Sequence, residues 1–304
     1  MPKTFLITGA TGKQGGATVD ALLSDPNPPM ILALTRDPDS ASAQKLKNRH
    51  SNIDVIKGDF NDAPALFEAV KKANGGNDQL DGLFSVQVPM DFKGQTPETE
   101  ERQGKALVDE AAKRGVKHFV YTSVDRHGEK SLENPTAVKH FASKHNVELH
   151  LIEKAKATGM TYTILRPTAF LENFSPGWGG KFFATAWREA VGNVPLQFVS
   201  TTDIGIIAAK ALLDPARFEN KQIGLAGDEL TFEGARETYK EKIGTEIPTT
   251  YGFLANGILR MLKDFKVMMK WFHDEQYAAS VEECRKIHPG MMTFGDYLEK
   301  KYRN

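Results

Sequence analysis

The sequence has little of several features that mark specialised classes of protein. A single cysteine, Cys284, among 304 residues excludes an internal disulfide framework and favours a reducing compartment. The 39 lysines and arginines equal the 39 aspartates and glutamates, so no net charge attracts nucleic acid. No apolar run is long enough to cross a bilayer, and no signal peptide is expected. These absences predict a cytoplasmic protein, with the nucleus as an alternative location, that binds no nucleic acid directly.

The chain does contain a regular alternation of apolar strands and helices. The predicted strands cover residues 5–7, 30–35, 54–57, 81–86, 117–123 and 161–166, and helices at 17–23, 63–73, 96–114 and about 134–158 separate them. Such alternation predicts a doubly wound parallel α/β sheet over residues 1–166. Residues 167–304 are less regular, with a loop at 170–180, strands at 194–199 and 221–226, and helices at 202–213, 231–243 and much of 253–272. They predict a smaller region interleaved with the first.

A glycine-rich turn lies between the first predicted strand and the first predicted helix. Gly9, Gly12 and Gly15 have a G-x-x-G-x-x-G spacing. Glycine allows a tight turn and a close approach of the backbone to a ligand, and the following helix offers its first N–H groups to a pyrophosphate. The pattern favours a dinucleotide site over an ordinary strand-to-helix turn. The residues expected to contact the dinucleotide are Gly9, Thr11, Gly12, Lys13, Gln14 and Gly15.

Two further segments bear on which dinucleotide binds. Arg36 follows the second predicted strand, where an acidic residue favours NAD and an arginine accommodates the 2′-phosphate of NADP. Asp37 comes one position too late for the NAD pattern, so Arg36 favours NADP(H); the alternative is a solvated loop charge. Asp59 and Phe60 follow the third predicted strand, where a carboxylate either contacts the adenine amino group or caps the next turn.

Together these segments resemble the NmrA-like family, an atypical branch of the short-chain dehydrogenases and reductases related to isoflavone-type reductases. The resemblance rests on Thr8–Gly15, Arg36, Gly58-Asp59, Tyr121–Ser123, Thr163–Pro167 and Glu172–Phe174. It implies a Rossmann-type domain over residues 1–166 that binds NADP(H), followed by a smaller C-terminal α/β cap over 167–304. The family contains both reductases and redox-sensing regulators, so either activity is implied.

The resemblance also implies a catalytic set. The superfamily places a serine after the fifth strand and a Tyr-x-x-x-Lys motif on the next helix. Ser123 stands at the serine position, and the helix carries His140 and Lys144 on one face. These three are the catalytic candidates, and Lys144 is also expected to contact the cofactor ribose. Because histidine replaces tyrosine, the lysine, a water molecule or His140 remain alternatives for the proton transfer; Lys144 could instead be solvated and Ser123 a cap.

The substrate is expected beside the nicotinamide end of the cofactor. Gln87 and Val88 follow the fourth predicted strand and should line that end of the crevice. Phe170, Asn173 and Phe174 follow the sixth predicted strand and predict an apolar wall for a small hydrophobic substrate; the alternative is that the two phenylalanines belong to the core.

Two other patterns are less specific. Five of the eight histidines fall between residues 118 and 150, but their spacings match no common ligand pattern, so no metal site is predicted. Residues 258–272 have apolar positions at helical spacing beside lysines and an arginine. They predict a core-facing helix with a basic outer face, a lid over the substrate, or a helix that binds a partner or a membrane surface.

The sequence therefore predicts an NADP(H)-dependent oxidoreductase that transfers hydride to a small hydrophobic carbonyl or conjugated substrate. The alternative is a redox sensor that binds NADP(H) without turnover and regulates a protein partner such as a transcription factor. The retained lysine and serine favour the enzyme, and the histidine at the tyrosine position favours the sensor.

Overall fold

The computed structural model describes residues 3–87, 94–250 and 263–302. Its strands are β1 (Thr4–Ile7), β2 (Met30–Thr35), β3 (Ile53–Lys57), β4 (Gly82–Ser85), β5 (His118–Thr122), β6 (Thr161–Pro167), β7 (Ala169–Phe170), β8 (Leu196–Val199), β9 (Lys221–Leu225) and β10 (Asp228–Leu230). Its helices are α1 (Lys13–Leu23), α2 (Ala41–Lys47), α3 (Ala63–Ala73), α4 (Pro97–Lys113), α5 (Lys139–Thr158), α6 (Trp178–Ala190), α7 (Thr201–Leu213), α8 (Pro215–Phe218), α9 (Phe232–Ile243), α10 (Lys263–Asp274), α11 (Val281–Ile287) and α12 (Phe294–Tyr302).

The first of two compact units comprises Met1–Ser123, Ser143–Leu165 and Ile204–Ile223. It contains most of a seven-stranded sheet with the order β3-β2-β1-β4-β5-β6-β9. The pairs from β3 through β6 are all parallel. Because the strand order reverses between β1 and β4, a crevice for a ligand opens at the carboxyl ends of these strands. The predicted doubly wound, Rossmann-type sheet is therefore confirmed.

The core of the first unit explains why its strands are apolar throughout. Leu6, Leu83 and Phe119, on three central strands, have no solvent exposure and share one cluster with Leu107 and Val147 of the covering helices. A sheet with helices on both faces buries both sides of each strand, so the strands have continuous rather than alternating apolar residues.

The second unit comprises Val124–Ala142, Arg166–Asp203 and Gly224–Asn304. It has a three-stranded sheet with the order β10-β8-β7, in which β10 is antiparallel and β7 parallel to β8. Its core is rich in aromatic side chains. Cutting the chain at residue 166 would not separate these units. Val124–Ala142 belongs to the second unit, and Ile204–Ile223 belongs to the first.

Two local predictions are wrong. Helix α5 begins at Lys139, not near residue 134, because Thr136 has a φ of +64° and the Asn134 side chain accepts the Thr136 N–H at 3.1 Å, which closes a turn. The predicted loop over 170–180 contains the end of β7, a 3₁₀ turn over Leu171–Phe174 and the start of α6. The prediction of a loop rests partly on Gly180. A Cβ at this position would lie 2.2 Å from the Ser175 carbonyl oxygen, so glycine is required here by close packing and not by flexibility.

The predicted helix over 253–272 falls partly outside the described residues. Its described part forms α10, whose Met269 and Phe272 are buried in the core of the second unit while Lys266 and Lys270 are exposed. This matches the interpretation as a core-facing helix with a basic outer face. Among residues 3–87, 94–250 and 263–302, no helix is both long and apolar enough to span a membrane.

One buried side chain makes the stability of the first unit depend on pH. The His118 ring lies between the Thr161 and Thr163 hydroxyls at 2.8 and 2.9 Å, and burial lowers the pKa of His118 to about 4. The unfolded chain takes up this proton near pH 6.5, well above the folded chain. The contribution of His118 to stability is therefore complete above pH 6.5 and is lost as the pH falls towards 4.

We expect the free energy of unfolding to fall by about 1.5 kcal/mol more between pH 6.5 and pH 5 in the wild type than in His118→Gln. Urea unfolding at the two pH values measures this difference. The exposed His50→Gln is the matched control and should retain the wild-type pH dependence. Equal pH dependence in all three proteins would contradict the assignment.

Candidate functional site

The glycine turn between β1 and α1 is closed by its own backbone. Gly9 has a φ of +59°, and its carbonyl accepts the Gly12 N–H at 2.8 Å. A Cβ at Gly15 would lie 2.3 Å from that same carbonyl oxygen. Within the described residues, no side chain caps α1 at Gly12. The first N–H groups of α1 are therefore available to an anionic ligand.

A cleft of about 380 Å³ lies at the carboxyl ends of β1 to β4, within the first unit. It brings together six of the predicted cofactor residues, Gly9, Thr11, Gly12, Arg36, Asp59 and Phe60. Lys13, Gln14 and Gly15 lie in the first turn of α1, and Gln87 follows β4. Val88 lies outside the described residues. The side-chain amides of Asn61, Gln95 and Gln103, which the sequence did not reveal, belong to residues that line the cleft as well.

The two charged residues after β2 are placed differently. The carboxylate of Asp37 turns back to accept the Asp39 N–H at 3.0 Å. Arg36 is exposed and lines the cleft, and no carboxylate in the described part of the chain pairs with it. A guanidinium placed in this way can bind a phosphate through two N–H groups.

Asp59 belongs to a chain of polar side chains along the cleft. Its carboxylate accepts the Asn61 backbone N–H at 2.8 Å, so Asp59 caps the following 3₁₀ turn as well as lining the cleft. The Asn61 side chain accepts from Gln103 at 3.1 Å, and Gln103 in turn accepts from Gln95 at 2.7 Å. Gln95 and Gln103 are distant from Asp59 in sequence, which is why pattern alone did not reveal them.

Two predicted cofactor residues carry buried oxygen atoms without a partner. Gln14 Oε1 and Gln87 Oε1 form no hydrogen bond within the described residues, although Gln87 Nε2 donates to Ser85 Oγ at 2.7 Å. A buried amide oxygen without a partner costs free energy unless a ligand or water satisfies it. The glycine turn, Arg36 and these two oxygens together fit a dinucleotide.

The hydroxyl of Ser123, immediately after β5, donates a hydrogen bond to Glu148 on α5. Both side chains are buried in the first unit. The hydroxyl proton is thus directed at a carboxylate, and this partner was not expected from the sequence.

Lys144 is not a solvated lysine. It is 8% exposed, and its Nζ donates to Glu100 Oε1 on α4 at 2.7 Å. The neighbouring Ser143 donates to the other oxygen of Glu100 at 2.6 Å. The sequence did not reveal Glu100, because an acidic residue in the first turns of a helix is usually solvated.

His140 pairs with a carboxylate of α10 in the second unit. Its Nδ1 lies 2.5 Å from Asp264 Oδ2, and the other Asp264 oxygen accepts the Lys139 N–H at 2.9 Å. Burial would raise the pKa of Asp264, but the His140 ring and the backbone N–H groups of Lys139 and His140 lower it below its ordinary value. Asp264 therefore fixes the ring orientation of His140 and favours a proton on Nδ1.

The three predicted substrate residues differ in burial. The Phe174 ring packs in the aromatic core of the second unit, 4.7 Å from Phe294 and 5.5 Å from Phe198 between ring centres. Phe174 therefore belongs to the core, the alternative considered for it. Phe170 and Asn173 are partly exposed and remain candidates for substrate contact.

No cluster of three or more metal-ligating side chains occurs in the described part of the chain. Cys284 is buried, and its thiol donates to the Gly224 carbonyl at 3.1 Å. Burial raises the pKa of Cys284, which disfavours the reactive thiolate.

Comparison with known proteins gives the context of this cleft. The model of the NmrA-like family matches residues 1–304. The NmrA-like family domain-containing oxidoreductase hkm9 of Aspergillus hancockii is 30% identical over 262 residues, which cover 77% of this chain and 71% of that protein. The agroclavine dehydrogenase of Claviceps fusiformis is 26% identical over 250 residues, covering 80% and 75%.

Solved structures share the fold at lower identity. The triphenylmethane reductase of Citrobacter sp., complexed with NADP(H), has a TM-score of 0.73 at 19% identity and covers 98% of this chain and 99% of that one. NmrA, a negative transcriptional regulator in complex with NAD, has a TM-score of 0.69 at 16% identity and covers 99% and 96%. The match along the whole sequence and this shared architecture lead to one conclusion: the chain belongs to the NmrA-like family.

Proposed function

We propose that this protein is an NADP(H)-dependent oxidoreductase that transfers hydride to a small hydrophobic carbonyl or conjugated substrate. The observation that carries the proposal is the position of Arg36, which has no carboxylate partner among the described residues and lines the same cleft as the glycine turn. The oxidoreductases and the NADP(H)-bound reductase among its relatives support it.

Different residues of the first unit would bind different parts of the dinucleotide. The glycine turn and the first N–H groups of α1 would hold the pyrophosphate. Arg36 would bind the 2′-phosphate, and Asp59 and Phe60 would contact the adenine. NADPH, when bound, supplies the hydride.

The three catalytic candidates would orient the nicotinamide ring and transfer a proton to the substrate. The Lys144 ammonium would donate hydrogen bonds to the nicotinamide ribose. His140, with Nδ1 directed at Asp264, would deliver a proton to the substrate from Nε2, since Asp264 holds the ring in one orientation. The Ser123 proton is directed at Glu148, so Ser123 is a poorer proton donor than His140.

Arg36→Ala is expected to raise the Kd for NADPH about 10- to 100-fold and to leave the Kd for NADH nearly unchanged. A charge-assisted contact to phosphate contributes about 1.5–3 kcal/mol. Calorimetric titration of both nucleotides measures the two constants, and NADH serves as the internal control. An equal loss for both nucleotides would remove the assignment of Arg36.

A second function is favoured by His140 at the position of the usual tyrosine, and by the similarity to a negative transcriptional regulator. In this alternative the protein senses the NADPH/NADP ratio and changes its affinity for a protein partner. NADPH oxidation tested with quinones, triphenylmethane dyes and aromatic aldehydes separates the two. Turnover with any of them supports the enzyme, whereas NADPH binding without turnover, together with cofactor-dependent capture of a partner, supports the sensor.

A further inference from the structure

Glu100 is a carboxylate with no solvent exposure, in the first turn of α4. A buried charge is costly unless it is paired and hydrogen-bonded. Both oxygens of Glu100 have a partner: Lys144 Nζ lies 2.7 Å from Oε1, and Ser143 Oγ lies 2.6 Å from Oε2. Two consecutive residues of α5 thus hold one carboxylate in a single orientation.

A glycine brings these groups within reach. A Cβ at Gly104, one turn after Glu100, would lie 2.7 Å from Val147 Cγ2 on α5. Only glycine therefore allows α4 and α5 to approach this closely. A second link crosses the same pair of helices, because Asn146 Nδ2 donates to Glu101 Oε2 at 2.8 Å. The link through Glu101 already ties the helices together and does not involve Lys144.

We propose that Glu100 is the positioning residue for Lys144. The inference rests on the proposed function, in which Lys144 binds the nicotinamide ribose. Glu100 accepts one N–H of the ammonium, which leaves two N–H donors with a fixed direction for the ribose hydroxyls. Ser143 holds the far oxygen, so that the carboxylate cannot rotate away from the lysine.

The test compares Glu100→Gln with Glu101→Gln, a matched removal of one carboxylate between the same two helices. We expect Glu100→Gln to weaken NADPH binding, measured by fluorescence titration, about 10-fold or more. Glu101→Gln should bind NADPH like the wild type. Thermal unfolding of both variants checks that they are folded.

A second measurement reports on Lys144 without cofactor. Acetic anhydride acetylates an amine only when the amine is released from its partner and reached by the reagent. Lys144 is 8% exposed and bound to Glu100 in the wild type, so it should be labelled slowly, as measured by peptide mass spectrometry. Labelling should be about 10-fold faster in Glu100→Gln and unchanged in Glu101→Gln. A purely structural link between helices would not change this rate selectively.

An unchanged labelling rate or an unchanged NADPH affinity in Glu100→Gln overturns the inference and leaves the proposed function intact. Failure of the wild type to bind NADPH rejects the proposed function and the inference with it, which is a different result. Should Glu100→Gln not fold, Ser143→Ala decides, because it keeps the ion pair and frees the carboxylate. Ser143→Ala should then weaken NADPH binding about threefold or more, and wild-type affinity would count against the inference.

Discussion

Replacing Gly15 with alanine is expected to reduce NADPH affinity at least about 100-fold and to lower the free energy of unfolding by about 1–3 kcal/mol. The new Cβ would lie 2.3 Å from the Gly9 carbonyl oxygen and 2.6 Å from that of Thr8. These atoms belong to backbone and cannot move aside as a flexible side chain could, so the turn itself must open. Calorimetric titration and urea unfolding measure the two effects.

Gly16→Ala is the control for this experiment. A Cβ at Gly16 would lie 3.4 Å from the Ala10 carbonyl oxygen, an ordinary contact, and alanine is favoured over glycine in a helix. Gly16→Ala should therefore keep its NADPH affinity and become slightly more stable. Similar losses in both variants would mean that the turn tolerates no alanine anywhere, and the specific role given to Gly15 would be wrong.

Lys144→Met is expected to lower kcat for NADPH oxidation by about two to three orders of magnitude, because it removes the ammonium that orients the nicotinamide ribose. It also leaves the Glu100 carboxylate buried without its cation, which should destabilise the protein by about 3 kcal/mol or more. Steady-state kinetics and urea unfolding separate these consequences.

The double variant Lys144→Met/Glu100→Gln distinguishes a catalytic loss from a folding defect. It removes both charges together, so stability should largely return while turnover stays low. Lys156→Ala, an exposed lysine on the same helix, should behave like the wild type. Recovery of turnover in the double variant would show that Lys144 acts only through stability.

The sequence allowed the first unit to be predicted because its architecture follows from local patterns. Runs such as Met30–Thr35 can only be strands buried on both faces, and the glycine spacing fixes the turn that follows β1. Helix α3 begins and ends where predicted, since Asp62 caps it by accepting the Ala65 N–H. Arg36 could be singled out as a candidate because the residue that follows β2 lies at the cleft whatever its partners are.

The partners of the candidate catalytic residues could not be predicted. Glu100, Glu148 and Asp264 resemble any other acidic residue on a helix surface, and only the packing of distant segments makes each of them the neighbour of Lys144, Ser123 or His140. The identification of α6 failed for a related reason. Its Gly180 is required by a close contact with Ser175, which a sequence pattern cannot distinguish from loop flexibility.

The interleaving of the two units along the chain limits how such a protein can be altered. Helix α5 starts among residues of the second unit and ends among those of the first, and the first unit also includes Ile204–Ile223. Neither unit is therefore a contiguous cassette that recombination could exchange between relatives. Grafting a new specificity onto this scaffold requires the transplantation of three separate stretches, whereas substitution of single residues needs no such exchange.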